Sequence, residues 1–242
     1  MNYEGLLELV KSRRSILRFK PDPIPDEYVD KIIEVARWAP SGFNSQPWEF
    51  IVVKKQELKD KIVQLVSEYS AQSVRMEASR EPWLGPTRSP QIGGAVGYSN
   101  APVFIIMFGD TRTQVGLPMP VRFDYRRCQT IYISSLASAF LYMHLAATAL
   151  GLASQWVSYV QVPLAHCSVK DMLGIPRELE VYDVMAVGYP AVKPRPKLMR
   201  AKEEMVHYDY CGEEDFRTDD EVNDFVRRTR TWVIATHRRG AD

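Results

Sequence analysis

The 242 residues of this chain fit one large domain or two small ones, and they can bury a substantial core. Hydrophobic residues make up 45% of the chain and charged residues 25%, shares that are typical of a soluble globular protein. Because the net charge is +1, the chain has no global field that would recruit nucleic acid or an anionic membrane.

The first quarter of the chain alternates helical patterns with one strand pattern. The apolar residues of "GLLELVKSRRS" predict a short first helix. In "PDPIPDEYVDKIIEVARWAP", Val29, Ile32 and Ala36 recur at helical spacing, and Pro40 ends the pattern. "EFIVVK" predicts a buried strand, and "LKDKIVQLVSEYSAQSV" predicts another amphipathic helix.

Periodicity is lost over residues 78–99. "REPWLGPTRSPQIGGAVGYS" contains three prolines, four glycines and two large aromatic residues. A loop of this length inside a compact domain is usually a lid or a disordered excursion, and both alternatives stay open here.

The second half of the chain supplies further strands and one long apolar helix. "APVFIIMFGD", "ASQWVSYVQV" and "YDVMAVGYP" predict strands. "IYISSLASAFLYMHLAATAL", residues 131–150, is long enough to span a membrane. It contains serines and His144 and it stands alone, so a buried central helix ending at Gly151 is the better interpretation. Helices and strands in this arrangement favour an α+β layered fold.

The C-terminal tail differs from the rest in charge. Residues 212–242 are strongly charged, but apolar residues recur in them at helical spacing: Val222, Phe225, Val226, Thr229, Trp232 and Val233. We therefore predict a main domain over residues 1–211 and a charged extension over 212–242. The extension contains a helix that docks on its own body or on a partner subunit. Its arginines indicate a solvated helix face rather than a nucleic-acid surface.

Several common catalytic motifs are absent from the sequence. There is no phosphate-binding loop, no G-x-G-x-x-G after a strand, no H-E-x-x-H and no G-x-S-x-G. The four histidines lack ligand-like spacing, and Cys128, Cys167 and Cys211 form no C-x-x-C motif. We therefore predict no metal site, no disulfide framework and a reducing, cytoplasmic compartment. The N-terminus also lacks the apolar core of a signal peptide.

Three separated stretches suit an anionic, planar ligand. Arg13, Arg14 and Ser15 offer two guanidinium groups and a hydroxyl for a phosphate, although an ordinary basic helix end is the alternative. The loop residues Ser41, Asn44 and Gln46 can pair with the edge of a heteroaromatic ring, or can simply form a proline-pinned corner. Late basic residues could close on the same phosphate, or form a generic linker: Arg195, Lys197 and Arg200.

Taken together and in this order, these stretches resemble the nitroreductase family of FMN-dependent oxidoreductases. Its superfamily also holds the iodotyrosine deiodinases and the flavin-cleaving enzyme of cobalamin synthesis. The resemblance covers about residues 5–210 and rests on five segments: "RRSILRF", "PIPDEYVDKIIEVARWAPSGFNSQPWEFIVV", "SNAPVFIIMFGD", "LAATALGLASQWVSYV" and "MAVGYPAVKPRPKLMR".

The resemblance implies an α+β sandwich of a mixed sheet flanked by helices. It implies a homodimer with tightly bound FMN at the subunit interface and no membrane or nucleic-acid partner. NADH or NADPH would reduce the flavin, and a small conjugated electrophile such as a nitroaromatic or quinone would follow by a ping-pong mechanism. One alternative is a specialised member, either a reductive dehalogenase or a flavin-cleaving enzyme, with residues 69–98 as its substrate lid. The other is a non-catalytic flavin-binding protein.

The resemblance also implies the site residues, position by position. Arg13, Arg14 and Ser15 match residues that hold the FMN phosphate and ribityl chain, and Arg200 matches a late basic residue that completes the phosphate site. The loop that lies along the flavin, usually from the other subunit, matches Ser41, Gly42 and Asn44, with Gln46 in support. The backbone near the isoalloxazine matches Trp156, Val157 and Ser158. No protein side chain is expected to act as acid or nucleophile, since the flavin carries the chemistry.

One position departs from the family pattern. Members often carry Lys or Arg two residues after the serine of R-R-S, near the edge of the flavin that becomes anionic on reduction. Here that position is Leu17, and Arg18 follows it. Either Arg18 supplies the charge by a shift in the turn, or this flavin lacks it and has an altered redox potential.

Overall fold

The computed structural model describes residues 2–77, 97–194 and 197–238. Most of the predicted lid and Arg195 therefore lie outside the described residues. Of the described residues, 2–70 and 97–194 form one compact unit, and 71–77 with 197–238 form a second. The domain boundary predicted at residue 212 stays a prediction.

A four-stranded sheet is the centre of the first unit. Its strands are β1 (Trp48–Val53), β2 (Val103–Asp110), β3 (Ala153–Val157) and β4 (Leu179–Gly188). They lie in the order β1-β2-β4-β3, and each neighbouring pair is antiparallel. The central strands β2 and β4 are buried along almost their whole length because helices cover both faces of the sheet.

The strand β1 corrects one expectation. The sequence "EFIVVK" predicts a buried strand, but β1 lies at the edge of the sheet, and of its six residues only Trp48 and Val53 are buried. An edge strand has one neighbour instead of two, so an apolar run by itself does not distinguish it from a central strand.

Seven helices are present in the described chain. They are α1 (Tyr3–Ser12), α2 (Asp26–Arg37), α3 (Gln56–Glu77), α4 (Met119–Arg122), α5 (Tyr125–Ala149), α6 (Pro163–Leu173) and α7 (Asp219–Arg238). The helix α6 is absent from the sequence predictions; it begins at Pro163 and is followed by Gly174 in the left-handed conformation. Proline in the first turn and glycine after the last turn are the signals that could have identified it.

Alternate residues of the central strands point to two separate core layers. Ile105, Met107 and Met185 pack with residues of α2 and α5 on one face. Phe104, Ile106 and Val184 face the other side, where residues of α3 and α6 cover them. The period of two along each strand thus produces a helix–sheet–helix sandwich. The predicted α+β fold is confirmed. The mixed sheet that the resemblance implies is not found among the four described strands, which all pair antiparallel.

The long helix α5 packs against one face of the sheet and contributes residues to that core layer. Asp124 caps its first turn by accepting from the N–H of Arg127 at 3.1 Å, and Gly151 follows its end with φ of 72°. Among the described helices, α5 alone is long and apolar enough to cross a membrane, but half of that apolar window is buried inside the protein. Its residues Phe140 and Met143 are completely buried, as expected of a core helix.

The second unit contains the tail helix that the sequence predicts. Thr218 and Glu221 begin α7 with reciprocal side-chain to backbone hydrogen bonds, in which the N–H of Thr218 donates to Glu221 Oε2 at 2.8 Å. Two 3-10 turns, Lys202–Glu204 and Glu213–Asp215, precede it.

Candidate functional site

The segment that carries Arg13, Arg14 and Ser15 runs from the end of α1 to the edge of the sheet. The helix ends because Arg13 is extended, with φ of −60° and ψ of 121°. Ser15 then pairs in a parallel bridge with Ser154 of β3, and the N–H of Ile16 donates to the carbonyl of Ser154 at 3.1 Å. This bridge fixes the segment beside β3, the strand that contains Trp156.

The guanidinium groups of Arg13 and Arg14 are half-buried and unpaired. Neither has a hydrogen bond or an ion pair to any residue within the described part of the chain. Burial, and then the neighbouring charge of Arg14, lower the pKa of Arg13. Two adjacent like charges without a protein counterion form a local concentration of positive potential, which suits a doubly charged anion.

A buried histidine lies next to this positive potential. His144 of α5 is 1% exposed, and its Nδ1 lies 2.7 Å from the hydroxyl of Ser154. Burial, and then the charge of Arg13, lower the pKa of His144 to about 3, so the ring is neutral at ordinary pH. The Nε2 atom is buried without a partner among the described residues, and the ring is parallel to that of Trp156, with centroids 5.5 Å apart.

The end of β3 is held by a buried carboxyl group that the sequence analysis missed. Asp183 of β4 is 2% exposed and accepts from the indole N–H of Trp156, and its Oδ1 accepts from Gln161 Nε2 at 3.1 Å. Burial raises the pKa of Asp183 to about 7, although the hydrogen bonds from Trp156 and Gln161 act in the opposite direction. Val157 is buried and Ser158 is exposed, so the chain leaves the core at that point.

The loop from Ser41 to Gln46 has an unusual backbone. Phe43, Asn44 and Gln46 have φ of 54°, 51° and 41°, a left-handed region that non-glycine residues rarely adopt. The Ser41 hydroxyl accepts from the N–H of Gln46 at 3.0 Å, and Gln46 Nε2 donates to Asn44 Oδ1 at 3.1 Å. Such strained conformations concentrate at functional sites, where the surrounding structure holds them in place.

Gly42 allows this loop to lie directly on α5. A Cβ at Gly42 would lie 2.1 Å from the Cγ2 of Ile131, a distance that no side chain tolerates. The N–H of Gly42 also donates to the hydroxyl of Ser135 at 3.0 Å. The loop is therefore seated on the N-terminal half of α5, with the side chains of Phe43, Asn44 and Gln46 exposed.

Within one chain, the loop and the arginine segment meet α5 at different places. The loop contacts Ser135, whereas the charge of Arg13 acts on His144, nine residues further along the helix. At about 1.5 Å of rise per residue, that separation is about 14 Å along the helix axis. The structure thus brings the arginine segment and Trp156 together, and it leaves the loop apart from them in the same chain.

The remaining predicted positions are placed as follows. Arg200 lies in the second unit, where its guanidinium donates to the carbonyl of Glu204 at 2.5 Å. Leu17 is half-buried, and its carbonyl oxygen would lie 2.0 Å from a Cβ at Gly97, so that only glycine fits there. Lys197 is exposed.

A surface groove of about 550 Å³ lies elsewhere in the first unit. It is lined by residues of α2, β1 and the start of α3, among them Asp26, Lys54 and Leu58. Lys54 and Asp26 pair with each other at 2.5 Å, so their charges are already satisfied. None of the predicted site residues lines this groove, and it contributes nothing to the site described above.

Comparison with known proteins identifies the family. The sequence profile described as the nitroreductase family matches residues 10–189. An iodotyrosine deiodinase of Thermotoga neapolitana is 30% identical over 205 residues, which are 84% of this chain and 97% of that protein.

Two solved structures share the fold. The NADPH:FMN oxidoreductase of Vibrio harveyi has a TM-score of 0.68 at 18% identity, with 98% of this chain and 91% of that one covered. An FMN-dependent nitroreductase of Clostridium difficile has a TM-score of 0.62 at 23% identity, with 85% and 99% covered. The predicted resemblance to the nitroreductase family and the prediction of an oxidoreductase are both confirmed. The chain belongs to the nitroreductase family.

Proposed function

We propose that this enzyme binds FMN, takes electrons from NADH or NADPH, and passes them to a small conjugated electrophile such as a nitroaromatic or a quinone. The observation that carries the proposal is the pair of half-buried arginines, Arg13 and Arg14, beside β3, whose guanidinium groups have no partner among the described residues. The proteins that share its fold include enzymes named for FMN and for nitroreductase activity, which supports the same cofactor here.

The residues fit the FMN phosphate on chemical grounds. A phosphate dianion would relieve the repulsion that the unpaired guanidinium groups exert on each other, and each group offers a planar set of donors to phosphate oxygens. Ser15, which is exposed, adds a hydroxyl on the same segment. In this proposal Arg13, Arg14 and Ser15 hold the phosphate and ribityl chain, and the role of Arg200 stays a prediction of the resemblance.

The other end of the ligand would lie along the chain at Trp156, Val157 and Ser158. When bound, FMN supplies the acceptance and donation of a hydride equivalent, which no side chain of this protein can supply. The chain contributes orientation: Asp183 fixes the indole of Trp156, and Gln161 fixes the turn that follows, by donating to the carbonyl of Tyr182 at 2.8 Å. His144, which stacks on Trp156, is neutral and adds no charge to this part of the proposed site.

A homodimer completes the proposed site. The loop of Ser41, Gly42, Asn44 and Gln46 is held about 14 Å along α5 from the arginine segment, so a second copy is the natural source of the loop. Apolar side chains on α1 and α5 support such an interface. No residue of α1 is buried, and exposed side chains include Tyr3, Leu6 and Val10 on α1 and Ile133 and Leu141 on α5.

A reductive dehalogenase is the second candidate function. It is favoured by the identity of 30% to an iodotyrosine deiodinase over almost that protein's whole length. Both candidates use the same FMN site and the same reductant, and they differ in the acceptor. The acceptor would be selected outside the arginine segment. The lid predicted over residues 69–98 lies mostly outside the described residues.

The proposal is tested on the purified full-length protein. We expect a yellow protein whose flavin absorbance is bleached without oxygen by NADH or NADPH and restored by a nitroaromatic or quinone. Parallel lines in double-reciprocal plots would support the ping-pong order. Release of halide from a halotyrosine would favour the dehalogenase. A colourless protein that takes up no FMN would refute the flavin site, and bound flavin that neither nucleotide reduces would indicate a non-catalytic flavin-binding protein.

A further inference from the structure

Three different metal-ligating side chains converge in the second unit, and none of them is assigned to the flavin. The ligand atoms of His207, Cys211 and Asp215 all lie within 4.8 Å of one another. The set offers one imidazole nitrogen, one thiol sulfur and one carboxylate oxygen. Neither the family comparison nor the proposed function accounts for this cluster.

The backbone explains how residues four apart meet without a helix. Asp209 has φ of 61°, and the N–H of Tyr210 donates to the carbonyl of Tyr208 at 2.7 Å across it, which is a tight three-residue turn. This turn folds His207 back toward Cys211. The 3-10 turn Glu213–Asp215 then brings Asp215 to the same place. Because the convergence depends on these turns, the sequence spacing alone gives no metal signature.

The cluster has the surroundings that metal ligands usually have. Asp215 uses Oδ2 to accept from the N–H of Gly212 at 2.8 Å, which orients the carboxylate and leaves Oδ1 available. No lysine, arginine or histidine forms a salt bridge with Asp215 within the described part of the chain. Within two residues of a ligand in the sequence, three acidic residues, Asp209, Glu213 and Glu214, outnumber one arginine, Arg217, and this excess of negative charge favours a cation.

The donor set selects the kind of cation. Calcium and magnesium prefer oxygen ligands only, whereas a thiolate with an imidazole and a carboxylate suits zinc. Zinc bonds of about 2.0–2.3 Å in a tetrahedral site separate ligand atoms by about 3.5 Å. The present spread exceeds that value by about 1.3 Å at most, which rotation of the exposed His207 and the partly exposed Cys211 side chains can close.

We propose that His207, Cys211 and Asp215 bind one divalent ion of the zinc class, with a fourth position left for water or another ligand. The ion ties the stretch after Lys202–Glu204 to the turn that leads into α7. This site needs no flavin, so its test stands apart from the test of the proposed function.

The test uses the tag-free, full-length protein with its bound flavin, stripped of metal by a chelator. Zinc chloride is titrated by calorimetry, and the reactive thiols are counted with a thiol reagent before and after zinc. We expect one zinc per chain and protection of one thiol. The three cysteines differ in exposure: Cys128 is buried, Cys167 exposed and Cys211 intermediate. The protected thiol should be Cys211.

Variants assign the ligands. Loss of even a hydrogen-bonded partner of a ligand lowers metal affinity about 10- to 100-fold, so Cys211→Ser should weaken zinc binding at least about 100-fold and abolish thiol protection. His207→Gln should weaken it as well, and Cys167→Ser, the matched control, should change neither readout. The flavin absorbance of all variants should stay unchanged. Binding of zinc to Cys211→Ser as to the unaltered protein, or no stoichiometric binding at all, would overturn the proposal.

Discussion

Two neighbouring guanidinium groups that lack a counterion are an unusual feature at the scale of single residues. Arg13 and Arg14 are half-buried and unpaired within the described chain, so the desolvation of Arg13 and its repulsion by Arg14 are not offset by any described protein contact. A bound phosphate would offset both. Hydrogen bonds to charged groups contribute about 1.5–3 kcal/mol each.

Replacement of either arginine should therefore weaken FMN binding. For Arg13→Ala and for Arg14→Ala we expect a loss of affinity of about 10- to 150-fold, measured by flavin fluorescence titration of the apoprotein. Arg177→Ala, on an exposed arginine elsewhere, removes the same charge and serves as the control. Equal affinities for all three variants would contradict the placement of the phosphate.

Asp183 and His144 give the protein opposite dependences of stability on pH. The folded pKa of Asp183 is raised to about 7, so above its unfolded value near pH 4 the folded state binds more protons, and stability falls as pH rises toward 7. The folded pKa of His144 is lowered to about 3, so stability rises with pH until the unfolded value near 6.5 is passed.

Asp183→Asn should remove the fall of stability with pH that Asp183 causes and leave the rise that His144 causes. Between pH 4 and 6.5, the free energy of unfolding of the variant should rise with pH more steeply than that of the unaltered protein, by up to about 1.4 kcal/mol per pH unit. Urea unfolding at several pH values measures both curves. At pH 5 the variant should also be less stable, since an amide can accept from only one of the two donors, Trp156 and Gln161. Parallel curves would show that Asp183 is ionised throughout.

At the scale of elements, the contact between the loop and α5 depends on one missing methyl group. Gly42→Ala places a Cβ 2.1 Å from the Cγ2 of Ile131, so the loop or the helix must move. We expect a loss of about 1–3 kcal/mol in the free energy of unfolding, from overpacking. Gly116→Ala is the matched control, because no atom lies within 4 Å of its added Cβ. Ile131→Ala in the Gly42→Ala background should restore part of the loss, and no restoration would contradict this cause.

The elements that the sequence predicted well are those in which periodicity and caps agree. The helices α2 and α5 and the strands β2 and β4 follow from apolar spacing that burial later satisfies, and α7 forms where its apolar spacing predicts a helix. Of these, α5 begins at Tyr125 rather than near residue 131, because Asp124 caps polar residues that carry no apolar signal. The helix α6 was missed because its apolar pattern is weak and its evidence lies in Pro163 and Gly174.

The site was less predictable than the fold for a physical reason. Arg13, Arg14 and the loop are contiguous motifs, and they can be seen in the sequence. Two hydrogen bonds, His144 with Ser154 and Trp156 with Asp183, link α5, β3 and β4. The pairing of β3 with β4 brings these residues together. A single charged residue within "YDVMAVG" was the available signal for Asp183, because a buried strand position tolerates a carboxyl group only when it is hydrogen-bonded.

At the scale of the whole molecule, the dimer is the largest expectation that stays a prediction, together with the cytoplasmic location. Ile133→Glu, on the exposed side of α5, should place a charge in the proposed interface and shift the protein toward the single-chain mass of 27.7 kDa in sedimentation. It should also release FMN, because the partner's loop would be lost. Leu164→Glu, on an exposed residue of α6, is the control and should change neither property. An Ile133→Glu variant that stays dimeric and keeps its flavin would show that the interface lies elsewhere.

The position of the loop on α5 has a consequence for communication between subunits. In a two-fold dimer of the proposed kind, each α5 would touch the phosphate end of its own site near His144 and support, near Ser135, the loop that enters the other site. The helix has 25 residues and is about 37 Å long, with no proline inside it. The two α5 helices would therefore couple the two flavin sites mechanically. Occupancy of one site would alter the affinity of the second, and cofactor uptake would be cooperative.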